Sequence, residues 1–154
     1  MIEFNYNDGG RQEAGFKGKT SDCVCRSIAI ATGLPYKEVY SRLSHGNSTQ
    51  RMGKKEPKSK AGVKSAARGI NTNRNWFKEY LKELGFKWVS TMKIGQGCKV
   101  HLRADELPKG TLIVSLSRHF AAVIDGVLND TYDCSRGGSR CVYGYYIKQD
   151  KQTA

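Results

Sequence analysis

Asp125-Gly126 stands between the apolar run Phe120-Ala121-Ala122-Val123-Ile124 and a second run that opens with Val127-Leu128. An Asp-Gly pair so flanked is the signature of a two-residue type I′ hairpin, because both turn positions need a positive φ that Gly, and to a lesser degree Asp, accept. The turn fixes the register: Ile124 faces Val127, Ala121 faces Asp130, and His119 faces Tyr132. Side chains alternate along a strand, so His119, Ala121, Val123, Leu128, Asp130 and Tyr132 share one face of the sheet, while Asn129, Thr131 and Asp133 share the other. His119 and Asp130 thus become diagonal neighbours, at a spacing that side chains of their length can close.

Other short β-branched or aromatic runs bounded by turn residues predict further strands at Phe86–Val89, Thr111–Leu116 and Val142–Ile147, with the hairpin strands at Phe120–Ile124 and Val127–Tyr132. Helices are expected earlier in the chain. The first covers Asp22 to Thr32, with Ser21 or Asp22 as its cap and Gly33 at its end. The second begins at Pro35 and places Tyr36, Val39, Tyr40 and Leu43 on one face. A third is capped by Asn71, Thr72 or Asn73, aligns Trp76, Phe77, Tyr80, Leu81 and Leu84 as a core stripe, and stops at Gly85. Residues 1 to 20 read as an irregular lead-in, and no internal repeat is visible. Helices followed by a mostly antiparallel sheet describe an α+β fold. At 154 residues, 38% apolar and 26% charged, the chain suits one domain, 1–154.

No stretch approaches the roughly 18 to 20 apolar residues of a membrane span, and the N-terminus lacks an export signal, so the expected setting is a cytoplasm. Five cysteines without such a signal are expected to be free thiols, with Cys134 and Cys141 the pair best placed to bridge under oxidation. No metal or cofactor is expected: Cys23-x-Cys25 is too tight for a zinc pair, and Cys98-x2-His101 has no second pair.

The chemistry centres on Cys23. Two residues apart on a helix, Cys23 and Cys25 point about 200° away from each other, so only one can face a cleft. Cys25 shares its stripe with Ile28, Ala29 and Thr32 and is the core residue. Cys23 lies nearer the helix start, where unpaired amides and the helix dipole favour a thiolate. With His119 as base and Asp130 fixing its tautomer, these residues form a nucleophilic triad. Asn129, the substitute in a Cys-His-Asn arrangement, has the wrong parity unless a bulge shifts the register.

Asp22-Cys23 opening a helix, then an apolar strand introduced by His119, then an acid on the next strand, resembles the papain-like cysteine peptidases. The stretches Gly15 to Cys23, Ala29 to Tyr36 and Val123 to Asp133 are similar to small phage and bacterial members of that group, including the bacteriocin-leader peptidase domains. The resemblance implies a papain-like fold and a thiol hydrolase acting on a peptide, isopeptide or side-chain amide, with Cys23, His119 and Asp130 as catalytic residues. It also implies a phage protein acting on components of a bacterial host. Where such enzymes place a glutamine about six residues before the cysteine to help hold the oxyanion, this chain has Lys17; Gln12 lies farther back and could serve only if the lead-in loops round.

The formal net charge of +12 favours an acidic partner. Between His45 and Gly69 apolar residues almost vanish and basic ones accumulate, which predicts a mobile loop able to touch phosphates. Trp76, Tyr143, Tyr145 and Tyr146 could add stacking faces. Arg118, Arg136 and Arg140 are expected beside the site if the last loop folds over it. The rival reading is a non-catalytic basic protein of the same fold that binds nucleic acid or an acidic host protein, although no RNA-recognition, zinc-finger or helix-turn-helix pattern is present.

Overall fold

The structure is a computed structural model that describes residues 2–15, 22–49, 72, 74–92, 95 and 97–149. Its elements follow the order β1 (Glu3–Tyr6), α1 (Cys23–Thr32), α2 (Tyr36–Thr49), α3 (Asn75–Glu83), β2 (Phe86–Ser90), β3 (Thr111–Leu116), β4 (His119–Ile124), β5 (Val127–Asp130) and β6 (Gly144–Lys148). One six-stranded sheet runs β1-β5-β4-β3-β6-β2. Every pairing is antiparallel except β1 with β5. This is an α+β architecture, as the sequence predicts, with the helices ahead of every strand but β1.

The hairpin is the expected one. Asp125 and Gly126 have φ of 49° and 81°, both in the left-handed region that a type I′ turn requires. Ile124 pairs with Val127 and Val123 with Leu128, so the register read from the sequence holds. Because β4 begins at His119 and β5 ends at Asp130, the two residues arrive at the same end of the sheet.

Strand alternation sorts the core into two clusters. Ile113, Phe120 and Tyr146 meet Val24, Cys25 and Ile28 of α1, Val39 and Leu43 of α2, and Phe77 and Leu81 of α3. Leu112, Val114, Ala121, Val123 and Leu128 pack instead with Ile2, Leu102, Leu107, Cys134 and Val142. The second cluster shows why β4 is buried along nearly its whole length: long connections cover the sheet face that the helices do not. The α3 stripe is core as expected, with Phe77 and Leu81 fully buried.

Four expectations need correction. The lead-in is not wholly irregular, since Glu3–Tyr6 adds a strand to the sheet; the alternation Ile2-Glu3-Phe4-Asn5-Tyr6 was the available signal, although residues 3–6 stay exposed. The second helix continues through His45 to Thr49, where a loop was expected; the rest of the basic segment to Gly69 lies outside the described residues. The third helix starts at Asn75 with Arg74 as its cap, later than the Asn71–Asn73 signals suggest. Cys98 and Cys141 are joined by a disulfide, with Cα atoms 5.9 Å apart, while Cys23, Cys25 and Cys134 are free. An isolated bridge between His101 and Cys141 sets the two segments side by side, a closure across 43 residues that local sequence does not announce. Among the described residues no helix is long and apolar enough to cross a membrane.

Candidate active site

The site forms where the N-terminus of α1 meets the start of β4 and the end of β5. Asp22 is the N-cap residue of α1, but its side chain makes no capping hydrogen bond to the first turn. Its carboxylate is held instead by the Tyr36 hydroxyl, which donates at 2.6 Å, by Arg11 at 3.1 Å, and by Arg26 one turn along the helix. The first amides of α1 therefore keep their positive ends without a capping side chain, next to the Cys23 sulfur.

Cys23 is partly exposed, whereas Cys25 is fully buried in the helix-side core. Burial pushes the Cys25 thiol up to about 12, which leaves it protonated and inert at neutral pH. Cys23 moves the other way. Burial acts to raise it, but the hydrogen bond and positive charge of His119, the Phe120 backbone N–H and the charge of Arg26 outweigh that and hold the thiol below its ordinary value. Helix geometry assigns Cys25 to the core, where it is buried, and Cys23, on the opposite side of the helix, stays partly exposed.

His119 Nε2 donates to Asp130 Oδ2 at 2.6 Å, with both residues buried. Burial disfavours the imidazolium, yet hydrogen bonds to Asp130, Cys134 and Cys23 and the Asp130 charge prevail, and His119 is pushed up to about 12. Asp130 is drawn the opposite way: burial raises it, while the hydrogen bond and charge of His119 and the Thr131 backbone N–H hold it below the usual carboxylate range. Its Oδ1 accepts from Thr131 N–H at 2.7 Å and meets Arg26 at 3.4 Å. With Nε2 committed to Asp130, the other ring nitrogen is left for the thiol. A thiolate facing an imidazolium braced by a carboxylate is the charge state that a thiol nucleophile needs. Tyr132 lies over the ring at a centroid distance of 5.4 Å, as the hairpin register implies.

All three sequence-predicted residues thus meet at one place. Asn129 does not join them: its side-chain oxygen accepts from Asn5 at 2.8 Å across the parallel β1–β5 pair. Sequence reasoning missed the brace behind the triad. Arg26 links Asp22 to Asp130, and the acid-then-base spacing of four residues on a helix was the available signal. Cys134 was missed too, since nothing local places the segment after β5 beside the His119 ring. Arg140 is expected near the site, and it is there, but only 7% exposed, donating to the Ser117 carbonyl at 2.6 Å and the Cys134 carbonyl at 3.5 Å. It ties the β3–β4 turn to the Cys134 segment and is not free to meet a substrate.

His119, Asp130 and Cys134 could also offer a nitrogen, an oxygen and a sulfur to a metal ion, since these donor atoms lie within 4.8 Å of one another. The set is three ligands of the four in a closed zinc site, and a metal there would take the histidine away from Asp130. Lys17 falls outside the described residues; the lead-in does bring Arg11 to Asp22, but Gln12 is exposed and lines a cavity with Tyr6, Asp8 and Glu13.

Compared with known proteins, the chain matches no family model, no curated protein and no solved structure. The functional reading therefore depends on the residues themselves.

Proposed function

We propose that this chain is a small cysteine hydrolase of papain-like design, acting on a peptide, isopeptide or side-chain amide through Cys23, His119 and Asp130. The observation that carries the reading is His119, hydrogen-bonded to the buried Asp130 carboxylate at 2.6 Å, beside a helix-start thiol that the imidazole holds below its ordinary value.

In the reaction the Cys23 thiolate attacks the carbonyl carbon; a C–S bond forms and the carbonyl π pair moves onto oxygen. The Cys23 backbone N–H at the start of α1 is one donor to that oxyanion. His119 gives its proton to the departing nitrogen as the C–N bond breaks, leaving a thioester. Neutral His119 then takes a proton from water as the water oxygen attacks the thioester; the C–S bond breaks, and the acid product and the thiolate–imidazolium pair are restored. Asp130 keeps the ring oriented and stabilises its charge without taking a proton. Arg26 and Asp22 hold Asp130 and the helix start in place.

The test is turnover. A proteome-derived peptide mixture incubated with the protein should gain new termini, or lose side-chain amides, in reactions absent from Cys23→Ala and His119→Ala. No product, or product that persists in Cys23→Ala, overturns the hydrolase reading. The net charge of +12 favours a second reading, a basic binding protein that keeps the fold without turnover. That reading predicts salt-sensitive binding unaffected by Cys23→Ala.

A further inference from the structure

A cavity of about 690 Å³ lies between α3 and the strands β2 and β6 and extends to Ser115 of β3 and Phe120 of β4. Its position relative to the triad follows from the register. Ser115 pairs with both Phe120 and Gly144, one rung from the Leu116–His119 pair. Phe120 follows His119 in the chain, lines the cavity, and belongs to the core cluster against which Cys23 packs. The cavity is therefore a groove that begins at the residue after His119 and leads away across β6 to the edge strand β2, without Cys23 or His119 in its lining.

Its walls are aromatic. Phe86, Trp88, Phe120, Tyr143 and Tyr146 line it, and Trp88 and Tyr143 remain 43% and 38% exposed. Trp88 is nonetheless fixed. Its ring packs on Tyr146 at 4.9 Å between centroids and lies over Gly144, where a β-carbon would come within 2.4 Å of the indole. Glycine at 144 leaves the room that the indole occupies. Large aromatic rings held rigid yet open to solvent present contact area at low entropic cost, which is how recognition surfaces use Trp and Tyr.

The rim is cationic. Lys78 and Lys82, one turn apart on α3, and Lys87 on β2 line the groove, and no Asp or Glu does so among the described residues. None of the three forms an ion pair among the described residues. Three unneutralised cations around an apolar channel select an occupant of opposite charge.

We propose that this groove binds the substrate, and that the substrate is a peptide segment in which an aromatic or large apolar side chain is flanked by acidic residues. The apolar side chain enters between Trp88, Tyr146 and Phe120, and the carboxylates meet Lys78, Lys82 and Lys87. A peptide fits better than a nucleic acid because the groove starts one residue from the proposed base His119, whose partner thiol addresses carbonyl carbon. The proposal rests on the hydrolase reading for the role of the bound segment as substrate, while binding itself can be measured without turnover.

The experiment pans a randomised octapeptide library on the Cys23→Ala protein and measures the enriched peptides by fluorescence anisotropy, with a dT12 oligonucleotide as competitor. Enriched sequences should pair acidic with aromatic or large apolar residues. Their affinity should fall tenfold or more in Trp88→Ala and in Lys78→Glu/Lys82→Glu, with the circular dichroism spectra of both variants unchanged. Gly144→Ala, which displaces the indole without touching the lysines, should weaken binding as well. Failure to enrich any peptide, enrichment without acidic residues, unchanged affinity in the folded variants, or complete displacement by dT12 would each overturn the proposal. Binding as described by a protein whose Cys23 never turns over the same peptides would leave the groove standing and remove the hydrolase reading.

Discussion

Replacing His119 by Ala probes the link between hairpin geometry and thiol chemistry. In the intact protein burial is the largest influence on Cys23 and acts upward, yet the balance is downward from 9.0 because His119 contributes both a hydrogen bond and a positive charge. The substitution removes those two contributions and leaves burial opposed only by the Phe120 N–H and Arg26, so the thiol rises. Below the pKa, each unit of rise lowers the thiolate fraction tenfold, while intrinsic reactivity recovers about threefold per unit at a Brønsted slope of roughly 0.4–0.5, for a net loss of about threefold per unit. A thiol titrating near 9 is only roughly 1% ionised at pH 7. The assay is the rate of iodoacetamide labelling at Cys23, followed by peptide mass mapping from pH 6 to pH 10. Wild type should show a shallow profile above its lowered pKa, because His119 stays protonated to about 12. The variant should react several-fold more slowly at pH 7 and then climb steeply, about tenfold per unit. Superimposable profiles would refute the claim that His119 sets the state of this thiol.

Arg26→Met leaves the buried carboxylates of Asp22 and Asp130 short of a shared cation, and removing one partner of a buried ion pair costs about 3–5 kcal/mol; urea unfolding should show a loss of that order. Labelling of Cys23 at pH 7 should slow as well, since Arg26 helps to hold the thiol down. Breaking the Cys98–Cys141 bond by Cys98→Ser/Cys141→Ser releases a loop spanning 43 residues of separation, and chain-entropy reasoning gives a loss of about 4 kcal/mol, again read by urea unfolding. The His119–Asp130 pair should also make stability depend on pH. The contribution of Asp130, whose folded pKa is lowered, is present above about 3.8 and lost as pH falls through the lowered value. That of His119 is fully present below about 6.5 and declines as pH rises from there toward about 12. The melting-temperature gap between wild type and His119→Ala should therefore be wider at pH 5.5 than at pH 9.

Much of the candidate site was legible because it rests on local rules. Asp125-Gly126 fixed one turn, the turn fixed the parity of His119 and Asp130, and 3.6-residue periodicity separated Cys23 from Cys25. What escaped was contact across long separations. Glu3–Tyr6 becomes a strand by pairing in parallel with β5 at the far end of the chain, a contact that its own short alternation of apolar and polar residues does not announce. Cys98 and Cys141 meet through a bridge at His101, and Cys134 reaches the imidazole from a loop whose path depends on Arg140 holding two carbonyls. The groove was split between distant segments: Trp88 lies on β2 and Tyr146 on β6, and Gly144 shows its purpose only once the indole is seen above it.

The central claim is that one thiol among three free cysteines is the nucleophile, activated by His119. Its most direct test is reaction of the native, non-reduced protein with a peptidyl acyloxymethyl ketone at pH 7, followed by intact mass and peptide mapping. A single adduct on Cys23, abolished in Cys23→Ala and strongly slowed in His119→Ala, is the predicted result. An adduct on Cys134 or Cys25, or a Cys23 that reacts no faster in wild type than in His119→Ala, would contradict it.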